Sequence, residues 1–234
     1  MGKGWKKASM LEASQKKGKI FTKLAREIYI ATKLGGPDPE GNPRLKLAIR
    51  SAMDVSCPKT TIERAIKKGS GQLDDDTIIE EVLYEGLGPH NVGIMVECLT
   101  DNRNRSVSEI RAIFKKNGGQ MGDQGSAAWQ FDRVALIEGT KVEVSDPEED
   151  AIEVGANEVE KSDEENQYSF YGNPEDLDQI RSQLLERGWD VTTAELYYKP
   201  KNVTELNEEQ LKEVETLLEA LDDNDDSNRI YTTL

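Results

Sequence analysis

Histidine is nearly absent: His90 is the only one in 234 residues. A histidine-based catalytic triad or metal site therefore has almost no material, and His90 itself falls in a turn. Cysteine is almost as scarce. Cys57 and Cys98 lie far apart, form no CxxC pair and have no histidine partner, so they read as buried or idle thiols of a cytosolic chain. No apolar run approaches the roughly 18 residues that a bilayer-spanning helix needs. The basic opening "MGKGWKKASMLEASQKKGK" has no apolar block behind its charges, which excludes a secretory signal. Its pattern continues into the next helix, so it reads as part of the first domain.

Two loops imitate ligand sites without meeting their requirements. "GLGPHNVG" has GxGxxxxG spacing and lies between two strands, whereas a dinucleotide fingerprint leads from a strand into a helix. It reads as a hairpin turn. "DDNDDSN" sets Asp222, Asn224 and Asp226 at alternate positions, like the start of a calcium loop. Ser227 stands where that loop needs glycine and Thr233 where it needs glutamate, so a solvated acidic connector is expected. No Walker sequence occurs. The expectation is a protein that is not an enzyme, with no cofactor, metal, membrane or small-molecule substrate.

What the sequence has in quantity is charge, and it is segregated. Residues 1–72 hold 16 Lys+Arg against 6 Asp+Glu, a net of +10. Residues 73–234 hold 14 against 39, a net of −25, and together they give the overall −15. This division points to a polyanion-binding segment attached to an acidic, self-solubilising body.

The basic part reads as three short helices. In "GKIFTKLAREIYIATKLGG" (18–36), Ile20, Leu24, Ile28 and Ala31 fall on one arc, with Lys19, Lys23, Arg26 and Lys33 opposite. Gly35-Gly36 and Pro37 end it. Asn42 caps a second helix with Pro43 at its first position. Thr60 and Glu63 have capping-box spacing for a third, which ends near Gly69 or Gly71.

After "QLDDDTIIEE" the pattern turns to alternating strands and helices. Strands are expected in "EVLYEG", "VGIMVECLT", "SAAWQFDRVALIEG", "QYSFYG", "VTTAELYYKP" and "NRIYTTL". Helices are expected in "RSVSEIRAIFKKNGG", "DPEEDAIEVGA", "NPEDLDQIRSQLLERG" and "NEEQLKEVETLLEALDD". This alternation implies two-layer α+β domains. In "TDNRNRS", Arg103 and Arg105 precede a helix that Asn104 or Ser106 would cap. They fit a phosphate or, equally, pairing with Asp101 and Glu109.

Seven strings occur in order: "GKIFTKLAREI" (18–28), "LGGPDPEGNPRL" (34–45), "PKTTIERAIKKG" (58–69), "YEGLGP" (84–89), "ECLTDNRNRSVSEIR" (97–111), "NGG" (117–119) and "GSAAWQF" (125–131). On these the chain resembles the YebC/PmpR family. The resemblance implies an α+β multidomain fold: an N-terminal three-helix bundle, then two α/β domains, one ferredoxin-like and inserted into the other. The implied boundaries are 1–77 for the basic helical domain, 78–133 plus 205–234 for the middle domain, and 134–204 for the insert. It also implies a cytoplasmic, DNA-binding transcriptional regulator. The alternative is an RNA-binding translation factor acting at the ribosome.

Charge and resemblance together place phosphate contacts on Lys3, Lys6, Lys7, Lys16, Lys17, Lys19, Lys23, Arg26 and Lys33, extended by Lys59, Arg64, Lys67 and Lys68 and by Arg103 and Arg105. Trp5 either stacks on a base or packs back onto the first helix. The family usually opens with an Ala-Gly-His-Ser-Lys-Trp string. Here Gly2-Lys3-Gly4-Trp5 keeps the glycine and tryptophan and lacks the histidine and serine.

Overall fold

The computed structural model describes residues 4–73, 77–142, 146–162 and 166–234, with side chains from residue 17 onward. In chain order its elements are α1 (Gly4–Gly35), α2 (Pro43–Asp54), α3 (Lys59–Gly69), β1 (Glu80–Leu87), β2 (Gly93–Thr100), α4 (Arg103–Lys116), β3 (Gln120–Met121), β4 (Phe131–Thr140), α5 (Pro147–Val154), β5 (Glu158–Lys161), β6 (Gln167–Gly172), α6 (Leu177–Glu186), β7 (Asp190–Pro200), α7 (Glu208–Asp222) and β8 (Ser227–Thr232). They form two compact units. One runs from residue 1 to 128 and resumes at 204–234; the other is 129–203.

In the first unit, α1 is one helix of 32 residues rather than a short one beginning near residue 18. It stops as expected, with Gly36 at φ +88°, a left-handed conformation that glycine adopts without steric cost. The Asn42 side chain accepts from Leu45 N–H, so it caps α2, while its own amide donates to Ala31 and Gly36 carbonyls. One residue thus starts α2 and ties it to the end of α1.

The expected capping box at α3 does not form. The cap falls two residues earlier than Thr60, at Pro58, with no side-chain cap hydrogen bond, and the helix begins at Lys59. Lys59 Nζ reaches Glu63 at 3.8 Å instead. Ile28, Ala31, Leu45, Ala48, Ala52, Ile62 and Ala65 make the buried centre of this bundle.

The same unit holds a four-stranded antiparallel sheet in the order β3-β1-β2-β8. β2 is buried along its whole length. Its Ile94, Val96 and Cys98 pack against α4 and α7 through Ile110, Phe114, Val214, Leu217 and Leu221. Alternation sends Met95, Glu97 and Leu99 to the other face. Leu99 meets Tyr29 and Ile30 of α1 there. Glu97 accepts from Asn228 and Arg229, and Glu27 of α1 accepts from Asn228 and Arg44. The α1–sheet contact is therefore partly apolar and partly an ion network.

α4 is capped by Asn102, whose side chain accepts from Arg105 N–H, not by Asn104 or Ser106. β3 has only two residues and no periodicity to reveal it. The buried Glu85 carboxylate gathers the backbone N–H groups of Gly125, Ala127 and Ala128, which fixes the loop before residue 129.

The second unit follows β4-α5-β5-β6-α6-β7 with sheet order β5-β6-β4-β7, every neighbouring pair antiparallel. That is the ferredoxin-like arrangement. Ala135, Ile137, Phe170, Ile180, Leu184 and Trp189 form its core, with the Trp189 and Phe170 rings edge to face at 4.9 Å. The Trp189 indole N–H donates to the buried Asp150. Burial alone would push Asp150 up. Hydrogen bonds from Lys141 and Trp189, the Lys141 charge and the Arg187 hydrogen bond more than offset it and hold the carboxyl below its usual range.

Candidate nucleic-acid interface

The helical period puts Lys19, Lys23 and Arg26 on one face of α1, and this face meets the turn that follows α7. Lys19 Nζ donates to the Asp223 carbonyl at 2.9 Å and lies 3.5 Å from the Asp225 carboxylate. Lys23 Nζ donates to the Asp222 carbonyl and lies 3.1 Å from the Asp222 carboxylate. Arg26 donates to the Asp225 carbonyl at 2.6 Å and to the Asp226 carboxylate at 2.8 Å. A helix C-terminus carries unsatisfied carbonyls and a partial negative charge, so it attracts cations. "DDNDDSN" is therefore not a solvated connector; it is where the cationic arc of α1 is neutralised.

Asp226 sits at the centre of this contact and is 2% exposed. Besides Arg26 it accepts from both Arg105 and the Ser106 and Thr100 hydroxyls. Burial would raise its pKa, but the Ser106 and Arg105 hydrogen bonds, the Arg26 charge and the Thr100 hydrogen bond hold it below the ordinary value of 3.8. Arg105 also bonds Asp101 at 2.8 Å, and Arg103 pairs with Glu80. Of the expected partners, Asp101 binds Arg105, while Glu109 accepts from Asn224. Both arginines of "TDNRNRS" thus have carboxylate partners within the protein.

The remaining cations of the basic module present a different picture. Lys33, two turns beyond Arg26, is exposed, with its Nζ 5.8 Å from the Tyr29 ring centroid. Lys68 of α3 reaches the same ring at 5.9 Å. The approach is close because α3 ends on α1: a Cβ on Gly69 would come within 2.6 Å of the Tyr29 carbonyl oxygen. Arg64 and Lys67 of α3 face solvent, and among the described residues neither forms an ion pair with a carboxylate. Lys59 is 88% exposed beside Glu63, and Lys17 is also exposed. Lys33, Lys59, Arg64 and Lys67 thus reach solvent on α3 and the end of α1, while Lys46 and Arg50 are exposed on α2, Lys46 beside Glu40. Lys3, and the side chains of Trp5, Lys6, Lys7 and Lys16, lie outside the described residues.

Arg111, Lys115 and Lys116 on α4 are exposed cations that the sequence reading passed over. Their signal was the i, i+4 spacing of Arg111 and Lys115. His90 Nε2 lies 2.9 Å from the Glu213 carboxylate in a turn where His90 itself has φ 59°. Both cysteines are buried; burial, with Asp226 and Glu97 nearby, pushes the Cys98 thiol up to about 12. No group of three or more His, Cys, Asp or Glu suited to a metal is found among the described residues. Nor is any described helix long and apolar enough to cross a membrane.

Comparison with known proteins agrees with this layout. A family model described as the TACO1/YebC protein N-terminal domain matches residues 3–72, and one described as the TACO1/YebC second and third domain matches residues 79–234. A probable transcriptional regulatory protein of Bdellovibrio bacteriovorus is 56% identical over 234 residues, covering all of both chains. Another so named, from a Polaromonas species, is 44% identical over 238 residues, covering 100% of this chain and 99% of the relative. The crystal structure of a conserved hypothetical protein from Aquifex aeolicus matches with a TM-score of 0.81 at 42% identity, over 92% of this chain and 89% of that one. The ordered motifs, the inserted ferredoxin-like unit and these full-length likenesses lead to one statement of kinship: the chain belongs to the TACO1/YebC family.

Proposed function

We propose that the protein regulates gene expression by binding nucleic acid, through the basic helical module over residues 1–77. On this reading the two acidic regions, 78–133 with 205–234 and the insert 134–204, keep polyanions from docking elsewhere. The observation that carries it is the clustering of Lys33, Lys59, Arg64, Lys67 and Lys68 on the solvent side of a module whose residues 1–72 carry a net charge of +10, within a chain of −15. The names of the relatives, probable transcriptional regulatory proteins, favour a DNA target, and action in the cytoplasm is part of the same proposal.

A second reading, binding of ribosomal RNA in translation, rests on a different observation. The exposed face of α3 offers Lys59, Thr60, Glu63, Arg64 and Lys67, with no Asn or Gln set to grip a base edge, and Asn42 is consumed as a cap. Phosphate contacts position a protein without reading sequence, which suits recognition by shape.

Fluorescence anisotropy on the full chain, with a short labelled DNA duplex and an RNA hairpin, tests the proposal. Log affinity is expected to fall with log salt by about 0.7–0.9 for each phosphate contacted, and Lys67→Gln or Arg64→Gln to reduce that slope by about one contact. A salt-independent response removes both readings. Crosslinking in extract separates them, by recovery of promoter DNA or of ribosomal RNA.

A further inference from the structure

Six oxygens of one turn meet Lys19, Lys23 and Arg26 of α1, and their arrangement has two layers. The inner layer is Arg26 against Asp226, at 17% and 2% side-chain exposure. Asp226 is held from three other side chains as well, so this pair is a fixed part of the fold. The outer layer is Lys19 and Lys23 against Asp225 and Asp222. Those two carboxylates are 66% and 76% exposed. Lys19 is 46% exposed and Lys23 only 19%, but in both pairs the carboxylate opens to solvent, and pairs with a solvated partner contribute between zero and about 1 kcal/mol each. Lysine stems are flexible and their ammonium groups accept any oxygen geometry. A phosphodiester presents the same chemistry as the turn: anionic oxygens spaced along a chain.

We propose that the Asp222–Asp226 turn is an internal competitor for nucleic acid, screening Lys19 and Lys23 until a phosphate backbone displaces it. This rests on the reading that the basic module binds nucleic acid. Docking on α3 and Lys33 brings the phosphates alongside α1. Lys19 and Lys23 then exchange carboxylate for phosphate, while Arg26–Asp226 stays closed and keeps α1 in place. The exposed carboxylates left behind repel the phosphates. They lower affinity and restrict capture to polyanions long enough to hold α3 and α1 together.

The test is a double-mutant cycle on the full chain, with the same duplex and hairpin probes at low salt. Asp222→Asn with Asp225→Asn is expected to tighten binding about fivefold, the size set by two exposed ion pairs. In a Lys19→Gln, Lys23→Gln background the same change is expected to have little effect. Asp225→Asn alone, together with the thermal midpoint of each variant, separates altered binding from altered folding. No gain in affinity overturns the proposal. So does an equal gain in both backgrounds, since it would reflect only the reduced net charge. Absence of salt-dependent binding by the unmodified chain would instead defeat the underlying reading, and this inference with it.

Discussion

Asp226 joins more of the molecule than any other single side chain described above, since it receives α1, the start of α4 and the approach to β8 at one carboxylate. Removing it leaves Arg26 and Arg105 facing each other without their common partner. Asp226→Ala is expected to cost about 3 kcal/mol in denaturant unfolding, the scale of breaking a buried pair from one side. The pH dependence follows from the direction of the shifts. Asp226 and Glu27 both have folded values below their ordinary 3.8 and 4.5. For Glu27, burial acts upward, and the Arg229 and Arg44 charges with the Arg44 and Asn228 hydrogen bonds act downward. Groups depressed in this way stabilise the fold at neutral pH. That stability is lost as pH falls through the ordinary carboxyl range toward the lowered values. Unfolding free energies measured from neutral pH downward should therefore drop below about pH 4, and Asp226→Asn should flatten that limb. Glu85→Gln is a quieter counterpart. All three backbone donors lose the charged acceptor and at least one faces an amide NH2 that cannot accept, at about 2 kcal/mol, and amide exchange in the 122–128 loop should quicken.

Among the elements, the seating of α3 on α1 is set by a glycine. A side chain at position 69 would meet the Tyr29 carbonyl oxygen at 2.6 Å and the Thr32 Cβ at 2.8 Å. Gly69→Val should push the two helices apart and destabilise the fold by about 2 kcal/mol, as over-packing does. It should also weaken probe binding beyond the stability loss, because Lys67 and Lys68 move with α3.

The same elements show what the sequence discloses. Asn42 and Pro43 announced α2 because a cap acts within three residues. The apolar stripe of α7 announced itself by period, through Val214, Leu217 and Leu221. β5, "EVEK", stayed hidden because a short edge strand with one apolar residue has no alternation to read. The Thr60–Glu63 box misled because its spacing is necessary for capping and not sufficient; the chain direction set by Pro58 decided the start. α1 was read from residue 18, where the apolar arc becomes regular, although the helix begins at Gly4.

For the whole molecule, charge by sequence block was legible and charge by surface was not. The +10 of residues 1–72 counts Lys19, Lys23 and Arg26, whose partners lie about two hundred positions away. No local pattern connects α1 to residues 222–226; only the return of the chain after the insert does. Residues 129–203 carry 7 Lys+Arg against 19 Asp+Glu, a net of −12, so much of the acidity resides in the ferredoxin-like unit. If that charge repels competing polyanions, neutralising several of its exposed glutamates should raise non-specific probe binding at low salt. The difference should vanish once the Debye length falls to roughly 3 Å near 1 M salt.

The return of the chain also dictates an order of events during synthesis. β8 and the aspartates that meet α1 come about two hundred positions after it in the chain, so a growing chain makes its basic helix long before it makes the counter-ions for it. Until residues 222–232 have emerged, the nascent protein carries an open edge on β2 and an uncompensated cationic flank. The finished molecule covers both with the same few residues.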